Sequence, residues 1–95
     1  MTIEFEWDFN KAANNERKHG VSFEEASTCF YDQCQVAFYD PEHSEDEDRE
    51  ILFGQSERQR LLVVSYTLRN EVIRIISARP ATRREVKEYE EGIWS

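Results

Sequence analysis

The segment from Val72 to Ala81 constrains the fold of this chain more than any other part of the sequence. Its β-branched and apolar residues predict a central β-strand, but it also carries Arg74 and Arg79. A guanidinium without a partner is too costly to leave inside a sheet, so each arginine must reach a carboxylate, a sheet edge or an external anion such as phosphate. Because side chains alternate along a strand, Arg74 is expected to share a face with Ala78, and Arg79 is expected on the opposite face. The two arginines need not form one site.

The remaining patterns predict a single α+β domain over residues 1–95, with helices packed on an antiparallel sheet. Strands are expected over 2–7, 35–39, 49–55, 60–68 and 71–79, and helices over 11–18, 22–30 and 82–91. Gly20 is expected to end the first helix, and Thr82 to begin the last one in a capping box with Glu85. The order is therefore β-α-α-β-β-β-β-α. Short links between consecutive strands favour antiparallel pairing.

Composition narrows the class of function. The net charge of −8 argues against a broad surface that coats nucleic acid, but it leaves room for a small basic cleft and favours a basic partner. No apolar run is long enough to span a membrane and no leader pattern is present, so a cytoplasmic protein is expected. Cys29 and Cys34 fit neither a disulfide framework nor a zinc site, and reduced thiols are expected.

Three groups of residues carry a resemblance to a known family. They are Glu6-Trp7-Asp8, Lys11-Ala12, Asn15 and the run from Lys18 to Ala26; then His43-Ser44, Glu47, Arg49 and Gly54; then Tyr66-Thr67, Arg69, the run from Ile73 to Arg79, Ala81, Glu85 and Tyr89-Glu90. In these residues, their order and their spacing, the chain resembles the BrnT toxin family along nearly its whole length.

The resemblance implies a bacterial type II toxin with a RelE-like fold and endoribonuclease activity, working without a metal or other cofactor. It also implies a BrnA-like antitoxin that neutralises the toxin and binds operator DNA, so that this chain reaches DNA only through the antitoxin. Two features depart from the expected pattern: the acidic net charge, and Pro80 where the family often has a lysine. Both favour an alternative, a catalytically decayed binding module that serves as antitoxin partner and co-repressor.

RNA cleavage without a metal needs a base for the 2′-hydroxyl proton, an acid for the 5′-oxygen and cations at the phosphate. The catalytic candidates are His19 and Glu47 for proton transfer, with Arg74 and Arg79 for the phosphate. The candidates for RNA binding are Lys18, Arg49, Arg79, Arg83 and Tyr89. No metal site is expected, because the acidic segment 42–48 lacks the glycine and the ligand spacing of a calcium loop.

Each candidate also has a purely structural explanation. His19 and Lys18 suit the C-terminal turn of a helix, where they interact with free carbonyl groups. Arg74 can pair with Glu47 or Glu85, and Glu47 can equally form a salt bridge with Arg49.

Tyr89 has the spacing of a core residue of the last helix. The position of Arg79 beside the helix start at Thr82 favours phosphate binding instead. Trp94, close to the end of the chain, is expected to contact the antitoxin or nothing.

Overall fold

The computed structural model describes residues 2–43 and 48–94. The elements are β1 (Glu4–Glu6), α1 (Phe9–His19), α2 (Phe23–Thr28), β2 (Val36–Tyr39), β3 (Arg49–Gln55), β4 (Leu61–Arg69), β5 (Val72–Pro80) and α3 (Arg83–Glu90), with short 3-10 helices at Cys29–Tyr31 and Pro41–His43. The predicted α+β class and element order are confirmed. None of the helices in the described ranges is both long and apolar enough to cross a membrane.

The five strands form one sheet in the order β1-β5-β4-β3-β2. The consecutive strands β2 to β5 pair antiparallel, as predicted. β1 instead pairs parallel with β5, so the sheet is mixed rather than purely antiparallel. β1 is separated from β5 by all the other strands and by two helices, and so its direction is not fixed by a hairpin.

A β-bulge interrupts the pairing of β4 with β5. Ser65 lies opposite Ser77, but the next residue, Tyr66, lies opposite Ile75. Ile76 is therefore an extra residue in β5 with no partner across the ladder. An inserted residue reverses the alternation of side chains beyond it.

The bulge changes where the two arginines of β5 lie. Ile75 and Ala78 are both buried in the core, although they lie three positions apart along the strand and regular alternation would place them on opposite faces. Arg74 and Arg79 consequently project from the same face of the sheet, the one opposite the core. The prediction of opposite faces is wrong, because simple alternation does not allow for the extra residue.

The core lies between the sheet and the two helices α1 and α2. Its buried residues are Val21, Phe23, Ala26, Cys29, Phe30, Leu52, Leu62, Val64, Tyr66, Ile75 and Ala78. Phe23, Ala26 and Phe30, at helical spacing in the sequence, form the buried face of α2 and of the turn after it. Cys29 is buried and Cys34 is exposed, and both are free thiols as expected.

Asn15 joins α1 to β5 through the core. Its side-chain nitrogen donates to the carbonyl oxygens of Val21 at 3.0 Å and Ala78 at 2.8 Å, and its oxygen accepts from the Ala78 amide at 3.1 Å. A buried amide with its hydrogen bonds made costs little and fixes the position of the helix. The helix then ends at Gly20, whose φ of 69° is the expected left-handed terminator.

Candidate functional site

The face of the sheet that does not carry α1 and α2, here called the second face, holds a cleft rich in arginine. The arginine cleft has a volume of about 240 Å³. Its lining residues are Asp40, Arg49, Ile51, Val63, Ser65, Ser77 and Arg79. Two guanidinium groups and two hydroxyl groups thus share one concave surface, which is suited to binding an anion.

Cross-strand pairing explains why these residues meet. Arg49 of β3 lies opposite Thr67 of β4, and Thr67 lies opposite Arg74 of β5. Directly paired residues share a face of the sheet, so Arg49, Thr67 and Arg74 form one row across three strands. Arg79 lies opposite Val63, four pairs further along the ladder, and therefore belongs to the second row along on the same face. The sheet therefore places three of the predicted arginines on one face.

Arg79 is held by a carboxylate from the last helix. Its two terminal nitrogens donate to the two oxygens of Glu85 at 2.9 and 3.0 Å, and one of them also reaches the Pro80 carbonyl at 3.2 Å. Glu85 accepts a further bond from the Thr82 amide at 2.8 Å, which completes the predicted capping box. The hydrogen bonds from Arg79 lower the pKa of Glu85 to about 2. A carboxylate thus occupies the guanidinium fork in the way that two phosphate oxygens would.

Arg74 is held by a different carboxylate from the one expected. Its Nη1 lies 2.6 Å from Oε2 of Glu6, which is its neighbour across the parallel β1–β5 pair. Glu85, one of the two predicted partners, binds Arg79 instead, and Glu47, the other, lies outside the described residues. Glu6 reaches Arg74 because β1 pairs parallel with β5, an arrangement that the sequence does not predict.

The structure does not bring Lys18 and His19 to the arginine cleft. Both lie in the last turn of α1, and α1 packs on the core face of the sheet through Asn15. The sheet itself separates them from Arg49 and Arg79. Lys18 is exposed and His19 is half-buried. Their position fits the structural explanation, a basic end of a helix beside Gly20.

The two candidates on α3 differ in environment. Arg83 is the first residue of α3 and is exposed. Tyr89 is half-buried, and its hydroxyl donates to the carboxylate of Asp32. Burial and this contact raise the pKa of Tyr89, while Asp32 also accepts from the Gln55 amide at 2.8 Å. Tyr89 therefore links α3 to the segment between α2 and β2, which contains Asp32.

One buried ion pair was missed in the sequence. The Glu25 carboxylate is only 4% exposed and accepts from Arg60 through Nε and Nη2, both at 2.7 Å, and from the Ser56 hydroxyl at 2.7 Å. Glu25 lies three residues after the N-cap Ser22, whose hydroxyl oxygen accepts from the Glu25 amide at 3.0 Å. The sequence signal for this ion pair is an acidic residue, Glu25, directly beside the apolar stripe of a short helix. The hydrogen bond from Arg60 keeps the pKa of Glu25 low in spite of its burial.

Two further residues had no recognisable signal. Asp40 lines the arginine cleft, whereas in the sequence it reads only as part of a turn with Pro41. Trp94 was expected to contact the antitoxin or nothing, but it packs within the chain on the second face, with its ring centroid 4.4 Å from that of Phe53 and 5.9 Å from that of Phe38. A tryptophan so near the chain end gives no sign of the strands it will cover.

Within residues 2–43 and 48–94, no group of three or more His, Cys, Asp or Glu side chains is arranged to hold a metal ion. Most of the acidic segment 42–48 falls outside the described residues or has no described side chains.

Comparison with known proteins gives the family. Residues 7–85 match the model of a family described as the ribonuclease toxin BrnT of type II toxin–antitoxin systems. The fold is similar to that of the Brucella abortus ribonuclease toxin BrnT, with a TM-score of 0.63 and 22% sequence identity over 86% of this chain and 100% of that one. No curated protein matches the sequence. The family match spans most of the chain and agrees with the fold, so this chain belongs to the BrnT family of type II ribonuclease toxins, a family whose members are paired with an antitoxin.

Proposed function

We propose that this chain is an endoribonuclease that cuts RNA at the arginine cleft by metal-independent general acid–base chemistry, and that a BrnA-like antitoxin neutralises it. The observation that carries the proposal is the grouping of Arg49, Arg74 and Arg79 on one face, with Arg49 and Arg79 in one cleft beside Ser65 and Ser77. Cations and hydroxyl donors fixed on a rigid sheet are suited to stabilising the charge of a crowded phosphate.

In the proposed reaction the RNA supplies its own nucleophile. The 2′-oxygen loses its proton and attacks the adjacent phosphorus, the bond from phosphorus to the 5′-oxygen breaks, and the departing 5′-oxygen takes up a proton from water. The products are a 2′,3′-cyclic phosphate and a 5′-hydroxyl. A phosphate entering the cleft replaces Glu85 in part of the Arg79 fork, because both anions fit the same pair of donors. Arg49 and Arg79 then stabilise the charge that develops on the phosphate.

The proton of the 2′-hydroxyl needs an acceptor in the same cleft. Asp40 is the described carboxylate that lines the cleft beside Arg49 and Arg79, and we assign it this role. Glu47 stays a candidate from the sequence. His19 is a poorer one, because it lies on the other side of the sheet.

A second candidate function is a binding module without activity. The observation in its favour is that Arg79 and Arg74 already have carboxylate partners, Glu85 and Glu6, in a chain of net charge −8. In that case the fold would serve as the partner of the antitoxin and as a co-repressor, and operator DNA would be contacted only by the antitoxin.

The two functions are separated by incubating RNA with the purified chain, with and without a chelator. We expect cleavage in both conditions, ending in cyclic phosphate and 5′-hydroxyl groups. Arg79→Ala should slow cleavage by about 10²-fold or more, as the loss of a charge-stabilising donor does. Arg84→Ala is the matched control, because the Arg84 side chain is 87% exposed and its nearest carboxylate contact, with Glu88, is 3.6 Å long.

RNA that stays intact at high protein concentration would favour the binding module. Cleavage abolished by the chelator would overturn the metal-independent mechanism and leave the ribonuclease proposal standing.

A further inference from the structure

Strand β2 lies at an edge of the sheet and pairs on one side only, with β3. Its four residues, Val36 to Tyr39, contain no charge and no proline. Phe38 is 39% exposed and Tyr39 is 57% exposed. Edge strands are usually protected by charges, prolines or a covering element, since unpaired backbone groups invite a further strand. An apolar edge of this kind is suited to the addition of a strand from a partner.

A cavity of about 390 Å³ adjoins the beginning of this strand. The residues that line it include Gln33, Gln35, Val36, Tyr89, Glu90 and Trp94. The lining thus brings together a tryptophan, a glutamate and two glutamines. An aromatic face next to a carboxylate is the environment that binds a guanidinium or ammonium group.

The charge around the cavity favours a cation over an RNA phosphate. Glu90 and Glu91 lie at the C-terminal end of α3, where the helix dipole already contributes negative potential. Asp32 contacts Tyr89 on the same side of the molecule. Together with the net charge of −8, these groups attract a basic segment and repel a phosphate backbone.

We propose that the edge of β2 and the adjoining cavity bind an extended basic segment of the antitoxin. Its backbone pairs with Val36–Tyr39 as an additional strand of the sheet, and an arginine or lysine side chain enters the cavity between Trp94 and Glu90. The inference rests on the antitoxin partnership proposed above and is independent of whether the chain cleaves RNA. It also accounts for the net negative charge of the chain, which the arginine cleft does not explain.

The test is calorimetric titration of the purified antitoxin into the purified chain at low and at high salt. We expect Glu90→Gln to weaken binding about 10-fold at low salt and to reduce its dependence on salt, since one ion pair is lost. Trp94→Ala should weaken binding by about 10- to 100-fold, as truncation of a central aromatic anchor does. Glu16→Gln, which makes the same change of charge on the exposed side of α1, should leave the affinity within about 2-fold of the original.

Hydrogen exchange gives a second measurement that needs no substitution. The antitoxin should protect amides of Val36–Tyr39 from exchange, because an added strand engages those that point away from β3. Unchanged exchange in β2 together with unchanged affinity of Glu90→Gln would overturn the proposal.

A non-cleavable 2′-O-methyl RNA oligonucleotide tests the competing occupant. If Trp94→Ala weakens binding of this RNA and not of the antitoxin, the cavity is a nucleobase site and the proposal is wrong. The Trp94 ring also packs on Phe53, so Trp94→Ala can fail to fold. In that case the affinity of Glu90→Gln for the antitoxin tests whether the cavity is used. A chain that binds the antitoxin in this way without cutting RNA would contradict only the ribonuclease proposal.

Discussion

At the scale of single residues, the central contact is the paired hydrogen bonding of Arg79 with Glu85. It stabilises the beginning of α3 and keeps the guanidinium directed along the edge of the arginine cleft. In the proposed reaction an RNA phosphate competes with this internal carboxylate, so the same contact contributes to stability and would limit the affinity for an anion. The sequence identified Arg79 but not its partner, because a contact between a strand and the following helix depends on how the connection turns.

The pair predicts a specific dependence of stability on pH. The pKa of Glu85 is lowered to about 2 from an ordinary value of 4.5. Its contribution is therefore fully present above pH 4.5 and is lost as the pH falls from there towards 2. We expect Glu85→Gln to lower the free energy of unfolding at neutral pH by about 1–2 kcal/mol, since Arg79 is partly exposed to solvent.

Urea denaturation at a series of pH values measures this effect. The difference in stability between the original chain and Glu85→Gln should shrink steadily on acidification below pH 4.5. Glu88→Gln, on the same helix with only a 3.6 Å contact to Arg84, is the control and should show a small difference at every pH. A difference for Glu85→Gln that does not change with pH would contradict the assigned role.

At the scale of secondary-structure elements, most boundaries could be predicted, and the bulge in β5 could not. The strand patterns and the capping residues Ser22 and Thr82 are local signals, which a sequence shows directly. Ile75 and Ile76 are both apolar, so nothing in the sequence says which of them faces the core. The position of the bulge decides on which face of the sheet Arg74 and Arg79 lie. It therefore also decides which residues form the candidate site.

Deletion of Ile76 tests the role of the bulge. Removing the unpaired residue leaves Arg74 and Arg79 an even number of positions apart, so a regular ladder keeps both on the second face. We expect a folded protein with stability reduced by about 1–3 kcal/mol, a range typical of a disruptive change in a strand. Deletion of Val63 from the regular part of β4 should prevent folding, because it moves a set of core side chains to the wrong face. Thermal unfolding followed by circular dichroism compares the stability of the two deletion variants. An equal loss of stability in both would contradict the assignment of Ile76 as the extra residue of a bulge.

The close approach of β3 to the turn after α2 gives a second prediction at this scale. A Cβ at Gly54 would lie 2.7 Å from the backbone oxygen of Cys29 and 3.1 Å from its Cβ. We expect Gly54→Ala to destabilise the chain by about 1–3 kcal/mol, as overpacking of a core does. Denaturant unfolding measures this loss of stability. The control is Ala37→Gly on the exposed edge strand, which changes one methyl group without a clash. Stability as high as that of the original chain would show that the turn can move aside.

At the scale of the whole molecule, the two faces of the sheet differ in burial and in charge. One face is buried under α1 and α2 and supplies the core, and the second face presents Arg49, Arg74 and Arg79 in an otherwise acidic chain. The fold and the family could be anticipated from residues spread along the whole chain. The separation of Lys18 and His19 from the arginine cleft could not, since it depends on which side of the sheet α1 packs.

The most direct test of the account is growth of bacteria after induction of this chain alone, of its Arg79→Ala variant, and of the chain together with its antitoxin. We expect arrest with the chain alone, relief by the antitoxin, and no arrest with Arg79→Ala, which should still bind the antitoxin because β4 and β3 lie between the strand of Arg79 and β2. Continued growth with the original chain present and soluble would contradict the claim of a ribonuclease toxin and favour the binding module.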